Sequence, residues 1–292
     1  MIRNKRKITS STTPLQDICY RFSRNKTAMV GLFTLIIIVL AAIFADAISD
    51  YDRLAIAVNA SEIFQEPSGK HWFGTDFLGR DVFARVVFGA RYSLSFGVGC
   101  TLISVTGGCL IGATAAYAGG VIDNIIMRTL DSIMCIPPIL LTLSLVSVLG
   151  TGLESIMIAI SLGSIPGFAR IVRSVVLTVV QMEYIEAAKA GGVSTFRTIV
   201  FHVLPNAIGT IMVNATMSIA GLIIASAALS FIGMGIQPPA PEWGAMLSES
   251  TIYMRTYPYL VIFPGLAIVI TALSFNLVGD GLAEALDPRM RD

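Results

Sequence analysis

Apolar and polar positions alternate along this chain on the scale of whole segments. Six runs come close to the ~20 apolar residues that carry a helix across a bilayer: residues 28–45, 93–117, 126–149, 153–170, 207–232 and 259–279. The third contains Asp131, and only Gly150, Thr151 and Gly152 separate it from the fourth, so a tight helical hairpin is expected there. The pattern predicts an all-α fold, a polytopic membrane bundle of six transmembrane helices.

Composition supports this class. The chain is 54% hydrophobic and 13% charged, against about 25% charged in a soluble domain. A net charge of +1 gives no sign of a nucleic-acid partner, because in a membrane protein the placement of charge matters more than its sum. With a cytoplasmic N-terminus, the 20 Lys and Arg residues divide 14 inside to 6 outside; the opposite orientation reverses the ratio against the positive-inside tendency. Both termini are therefore expected in the cytoplasm. The expected organisation is a basic leader 1–27, a first helix 28–45, an external segment 46–92, a core 93–282 containing five helices and a cytoplasmic excursion 183–206, and a tail 283–292. Ala45-Asp46-Ala47 after a basic start suggests a cleaved signal peptide, but leader and apolar run are both too long for one, so a retained span is expected.

Candidate chemistry is sparse. The four cysteines, Cys19, Cys100, Cys109 and Cys135, form no disulfide framework and read as buried apolar thiols, with Cys19 in a reducing compartment. No phosphate loop, zinc-protease helix or nucleophile elbow occurs, and His71 and His202 fall on opposite sides of the membrane. No catalytic or metal site is expected. Gly279-Asp280-Gly281 has no second acid at mid-depth and marks the inner end of the last span.

The spans carry packing signals. Gly97, Gly99, Gly107, Gly108 and Gly112 give the second span small faces, and Pro137-Pro138, Pro166 and Pro264 interrupt helical ladders. In the fifth, Thr210, Asn214, Ser218, Gly221 and Ala225 recur at spacings of three and four and form one polar stripe. Lipid rejects Asn214, which leaves interhelical hydrogen bonding or the lining of a path. Outside, "GTDFLGRDVFARVVFGAR" predicts an amphipathic helix on the outer membrane surface: Thr75 or Asp76 as cap, an Asp81–Arg85 pair, and Val82, Phe83, Val86 and Val87 as the apolar face.

The excursion "EYIEAAKAGGVSTFRTIVFHVLPN", 183–206, is too polar to span the membrane. Glu183 to Ala190 are mostly good helix formers, and Tyr184, Ala187, Ala188 and Gly191 share a nearly flat face beside Glu186. Two turns of helix are marginal alone, so this face reads as a docking surface, with a solvated loop as the alternative. Gly191-Gly192 stops the helix, and Ser194 is placed to cap a second one whose Phe196, Ile199, Val200 and Val203 lie back on the bundle. Pro205 opens the next span, where a missing N–H costs nothing.

This stretch resembles the EAA loop of permease subunits of bacterial ABC importers, whose pattern is Glu-Ala-Ala, three residues, Gly, nine residues, Ile, any residue, Leu-Pro. Glu186, Ala187, Ala188, Gly192, Leu204 and Pro205 match, while His202 stands at the Ile position. "HWFGTDFLGRDVFARVVFGARYSL" (71–94), "ALSFIGMGIQPPAPEWGAML" (228–247) and "FNLVGDGLAEALDPRMR" (275–291) are similar to the peptide and nickel branch, C-type. Gly191 replaces a usually bulky residue and Ala283-Glu284 replaces a usual Arg-Asp.

The resemblance implies the type I importer permease fold and an inner-membrane subunit with no enzymatic activity of its own. It implies a second homologous permease chain, two ATPase subunits that bind ATP and Mg, and an external solute-binding protein. Tyr184, Glu186, Ala187, Ala188, Gly191, Gly192 and Pro205 then form the ATPase-coupling element. Thr210, Asn214, Ser218 and Gly221 are the candidate path. Di- or oligopeptides are the expected cargo, nickel or a metal chelate the alternative. A secondary transporter is a distant third, since the span centres offer almost no coupling-ion ligands.

Overall fold

The computed structural model describes residues 14–150 and 152–286. The first thirteen residues of the leader, Thr151 of the hairpin turn, and the tail from 287 with Arg289 and Arg291 lie outside the described residues. Among the described residues the chain is helical with connecting loops and no strand.

Helix α1 (Pro14–Arg24) leads into α2 (Lys26–Ile43), which Asn25 caps by accepting from the Ala28 N–H at 3.0 Å. A short α3 (Ala45–Ile48) and an irregular connecting segment precede α4 (Val82–Ala118). Then come α5 (Gly120–Met134), α6 (Pro138–Leu149), α7 (Leu153–Val180), α8 (Glu183–Ala190) and the single turn α9 (Thr195–Thr198). A π turn (Ile199–Val203) joins α9 to α10 (Leu204–Phe231), followed by α11 (Trp243–Ser250) and α12 (Tyr259–Leu286). Five helical segments are long and apolar enough to cross a membrane, and α5 with α6 adds a sixth if taken as one broken span.

That break falls inside the expected third span at 126–149, at the Pro137-Pro138 interruption. Helices α5 and α6 are bent by 87°. Pro137 and Pro138 remove two consecutive ladder donors, and each disfavours helical backbone in the residue before it. Cys135, expected to be buried, is exposed at this break, as is Cys19, while Cys100 is buried. Pro166 and Pro264 sit inside α7 and α12, which both continue through them.

Glycine sets the closest helix contacts. At Gly108 and Gly112 of α4 an added methyl would overlap Phe168 and Ala169 of α7, and at Gly97 it would overlap Ile223 of α10. Two serines lock the α4–α7 seam, Ser104 donating to the Ser161 carbonyl and Ser161 to the Cys100 carbonyl, both at 3.3 Å. Gly31 lies against Leu277 and Gly281 against Ala28, bringing α2 onto α12. Asp280 between Gly279 and Gly281 is exposed, and α12 runs on to Leu286. Glu284, where the resemblance leads one to expect Asp, accepts from the Asn25 amide at 2.5 Å and ties the end of α12 to the α1–α2 junction.

The outer segment is the largest correction. The helix leads into the second span as expected, α4 running unbroken from Val82, but its apolar face packs inside the protein, with Val82 and Val87 buried. Its cap is Asp81, accepting from the Ala84 N–H at 2.8 Å. Thr75 is occupied with the Glu62 carbonyl and the Gln65 N–H, and Asp76 with the Leu78 and Arg80 N–H groups. Arg85 pairs with Glu249 and Asp76 rather than Asp81.

Candidate coupling surface and translocation path

Helix α8 follows α7 after a tight turn at Gln181 and Met182. One side chain anchors it: Ile185 is fully buried among Val172, Val176 and Val179 of α7, Ala113 and Ala116 of α4, and Val203, Ala207 and Ile211. The opposite face, expected as a docking strip, is open. Tyr184, Glu186, Ala187 and Gly191 are exposed and Ala188 is half-buried. Glu186 lies in the first turn, where a carboxylate is favoured by the helix dipole.

The helix ends in a Schellman turn. Gly192 takes φ +74°, and the Val193 N–H reaches back to the Ala188 carbonyl at 3.1 Å. The left-handed residue is thus Gly192, the glycine of the family pattern, while the unusual Gly191 needs no special backbone. Ser194 stands at the N-cap of α9, but its hydroxyl makes no capping bond.

The second stripe departs from expectation. Phe196 is 71% exposed, Ile199 and Val200 are half-buried, and the fully buried pair is Thr198 and Val203. These are five apart, the hydrogen-bond spacing of the intervening π turn; its extra residue rotates Phe196 away from the face that Val203 occupies. The same turn sits just ahead of Pro205, whose ring would clash with the carbonyl four residues earlier in a regular helix. Asn206 donates its side-chain amide to the His202 carbonyl at 2.6 Å. Pro205 therefore lies in the first turn of α10 within a continuous helical path from Thr195, not at a free helix start.

Two ion pairs brace this end of α7 against α5. Arg173 grips Asp123 with both ends of its fork, at 2.6 and 2.5 Å, and Arg170 meets Asp131 at 2.6 Å. Asp131, which fell in an expected span, is accounted for by this pair.

The polar stripe of α10 bonds within its own helix, Asn214 to the Thr210 carbonyl at 2.8 Å and Ser218 to the Asn214 carbonyl at 2.7 Å. From its middle onward it opens on a groove of about 290 Å³, where Ser218 and Gly221 face Ser164, Gly167 and Phe168 of α7. A second cavity of about 210 Å³ continues past Ala225 to Thr142 of α6 and shares Ser164 and Leu222 with the first. The structure brings Ser218, Gly221 and Ala225 onto these walls, whereas Thr210 and Asn214 lie outside them. The α7 and α6 contributors were not anticipated; Ser164 and Gly167, spaced three apart in an apolar run, are the signal that was available.

At the N-terminal end of α4, charged residues are buried together. Arg80 and Arg85, each 2% exposed at the side chain, both donate to Glu249 of α11 at 3.0 and 3.2 Å, and Arg80 also binds Asp76 at 2.6 Å. Next to them His71 Nδ1 lies 2.7 Å from Asp81. Lys70 holds the Glu62 carboxyl below the usual carboxylate range by hydrogen bonding to it. Trp243 of α11, 2% exposed, donates to the Val86 carbonyl at 2.9 Å and packs on Gly89. The outer segment, α4 and α11 thus form one unit.

Residues 108–292 match the family described as binding-protein-dependent transport system inner membrane component, and residues 13–67 match the N-terminal TM domain of oligopeptide transport permease C. The dipeptide transport system permease protein DppC of Alkalihalophilus pseudofirmus is 41% identical over 97% of this chain and 92% of that protein. The glutathione transport system permease protein GsiD is 40% identical in Pectobacterium atrosepticum, over 100% of this chain and 95% of that protein. In Escherichia coli O157:H7 it is 43% identical, over 96% and 92%. A chain in inward-facing structures of the MetNI methionine ABC transporter aligns with a TM-score of 0.49 at 19% identity, covering 67% of this chain and 95% of that one. This chain belongs to the family of inner-membrane permeases of binding-protein-dependent ABC importers. It is a multi-helix membrane protein of that transport class.

Proposed function

We propose that this chain forms half of the translocation path of an ATP-driven importer of di- or oligopeptides, beside a second, homologous permease chain. Two ATPase subunits sit on its cytoplasmic side and bind the ATP and Mg; this chain supplies no cofactor ligand. An external binding protein delivers the solute, and both termini are cytoplasmic. The observation that carries the reading is the open face of α8, held by Ile185 yet left uncovered at Tyr184, Glu186, Ala187 and Gly191. A two-turn helix fixed to the inner end of a span passes movement of a partner to α10 through the π turn and Pro205.

The cargo reading rests on the named substrates of the relatives and on the groove. Neutral hydroxyls at Ser164, Ser218 and Thr142 meet backbone amides directly or through water without selecting a side chain. Gly221 has nothing within 4 Å of an added Cβ, so the Gly221→Trp side chain starts in open space and is expected to project into the groove. Peptide uptake by the reconstituted transporter should fall to background while assembly with its partners persists; uptake at the wild-type rate would remove this groove from the path.

Orientation has its own check, because Cys19 is exposed on α1. In a variant that keeps only this cysteine, a membrane-impermeant thiol reagent should label it after permeabilisation and not in intact cells. Labelling in intact cells places the N-terminus outside.

A further inference from the structure

A groove of about 420 Å³ runs between α2, α4 and α12, away from the path. Its walls are apolar, with Val39, Ile43, Leu94, Val98 and Phe275, and Arg91 lies at the end where α2 terminates. The Arg91 guanidinium is firmly placed: Nε donates to the Ala42 carbonyl at 2.5 Å, and Nη2 to the Ile43 carbonyl at 2.9 Å and to Asp46 at 2.7 Å. Among the described residues its Nη1 group has no acceptor. The Asp46 side chain is 70% exposed and uses one carboxylate oxygen, leaving the other free.

We propose that this groove holds an acyl chain of a phosphatidylethanolamine-type lipid whose phosphate accepts from Arg91 Nη1 and whose ammonium donates to Asp46. An apolar channel ending in a fixed cation beside a free carboxylate matches an acyl chain ending in a phosphate beside an ammonium. An anionic headgroup brings the same phosphate near Asp46 with no ammonium to offset the carboxylate, and is disfavoured. A quaternary ammonium has no N–H to give the carboxylate. The inference concerns the membrane that the helices cross, and it stands whatever the cargo.

The test is native mass spectrometry of the complete transporter in mixed micelles holding equal amounts of phosphatidylethanolamine, phosphatidylglycerol and phosphatidylcholine with identical chains. The wild type should retain phosphatidylethanolamine preferentially. Asp46→Lys should shift the preference towards phosphatidylglycerol by about fivefold or more. Ser95→Trp, an exposed position on the groove wall, should remove the retained lipid, and Arg91 is left intact because it caps α2. Equal retention of the three lipids, or undiminished retention in Ser95→Trp, overturns the proposal. So does a disulfide between Ser95→Cys and the second permease chain, which would show the groove covered by protein.

Discussion

Replacing Gly192 by proline is expected to cut ATP-driven uptake roughly a hundredfold while the chain still inserts and assembles. Gly192 holds φ +74° in the turn that closes α8, and proline is locked near −65°. The Val193 to Ala188 hydrogen bond cannot form, so α8 loses its fixed angle to α9 and α10. Gly192→Ala offers a graded control, since an added Cβ meets nothing within 4 Å and only the left-handed backbone is penalised. That costs ~1–2 kcal/mol, or about tenfold. At Gly191, which has no positive φ, a bulky residue should be tolerated. Glu186→Arg should uncouple uptake from ATP hydrolysis by reversing the charge on the open face. Normal uptake by both Gly192→Pro and Glu186→Arg would separate α8 from the mechanism.

The second large effect is structural. Glu249→Gln should lower the thermal midpoint of the purified transporter by roughly 10 °C, because breaking a buried ion pair from one side costs ~3–5 kcal/mol. Arg80 and Arg85 are both almost fully buried, and with Glu249 neutral only Asp76 faces the two guanidiniums. Replacing Arg85 and Glu249 together by methionine should recover part of the loss, since an apolar pair leaves no charge stranded. A single variant as stable as wild type would show that the network is solvated in the membrane-bound protein.

What hydropathy reads and misses follows from what it measures. The extents of α2 and α10 and the start of α12 were legible because a lipid-facing helix must be apolar along its length; the polar end of α12 from Asp280 to Leu286 was not. The outer network was not, because the charges of Asp76, Arg80 and Arg85 are compatible with burial only through Glu249, more than 160 positions away. Local reading therefore paired Arg85 with its neighbour Asp81 and laid the helix on the membrane surface. The bend at Pro137-Pro138 was legible because two consecutive prolines remove ladder donors, while its 87° size was not. In the excursion, the open strip, the stop at Gly192 and the apolar peg at Val203 were readable from spacing. Phe196 was misplaced because a π turn breaks the 3.6-residue period on which that spacing rests. Ile185, the lone large aliphatic opposite the small-residue strip, carries its own signal as the anchor.

Accumulation of solute in proteoliposomes holding the complete transporter tests the peptide-import claim most directly. With the external binding protein and ATP, a labelled dipeptide should accumulate against its gradient, and omission of either should stop it. Accumulation of a nickel chelate with no uptake from a peptide library would contradict the account.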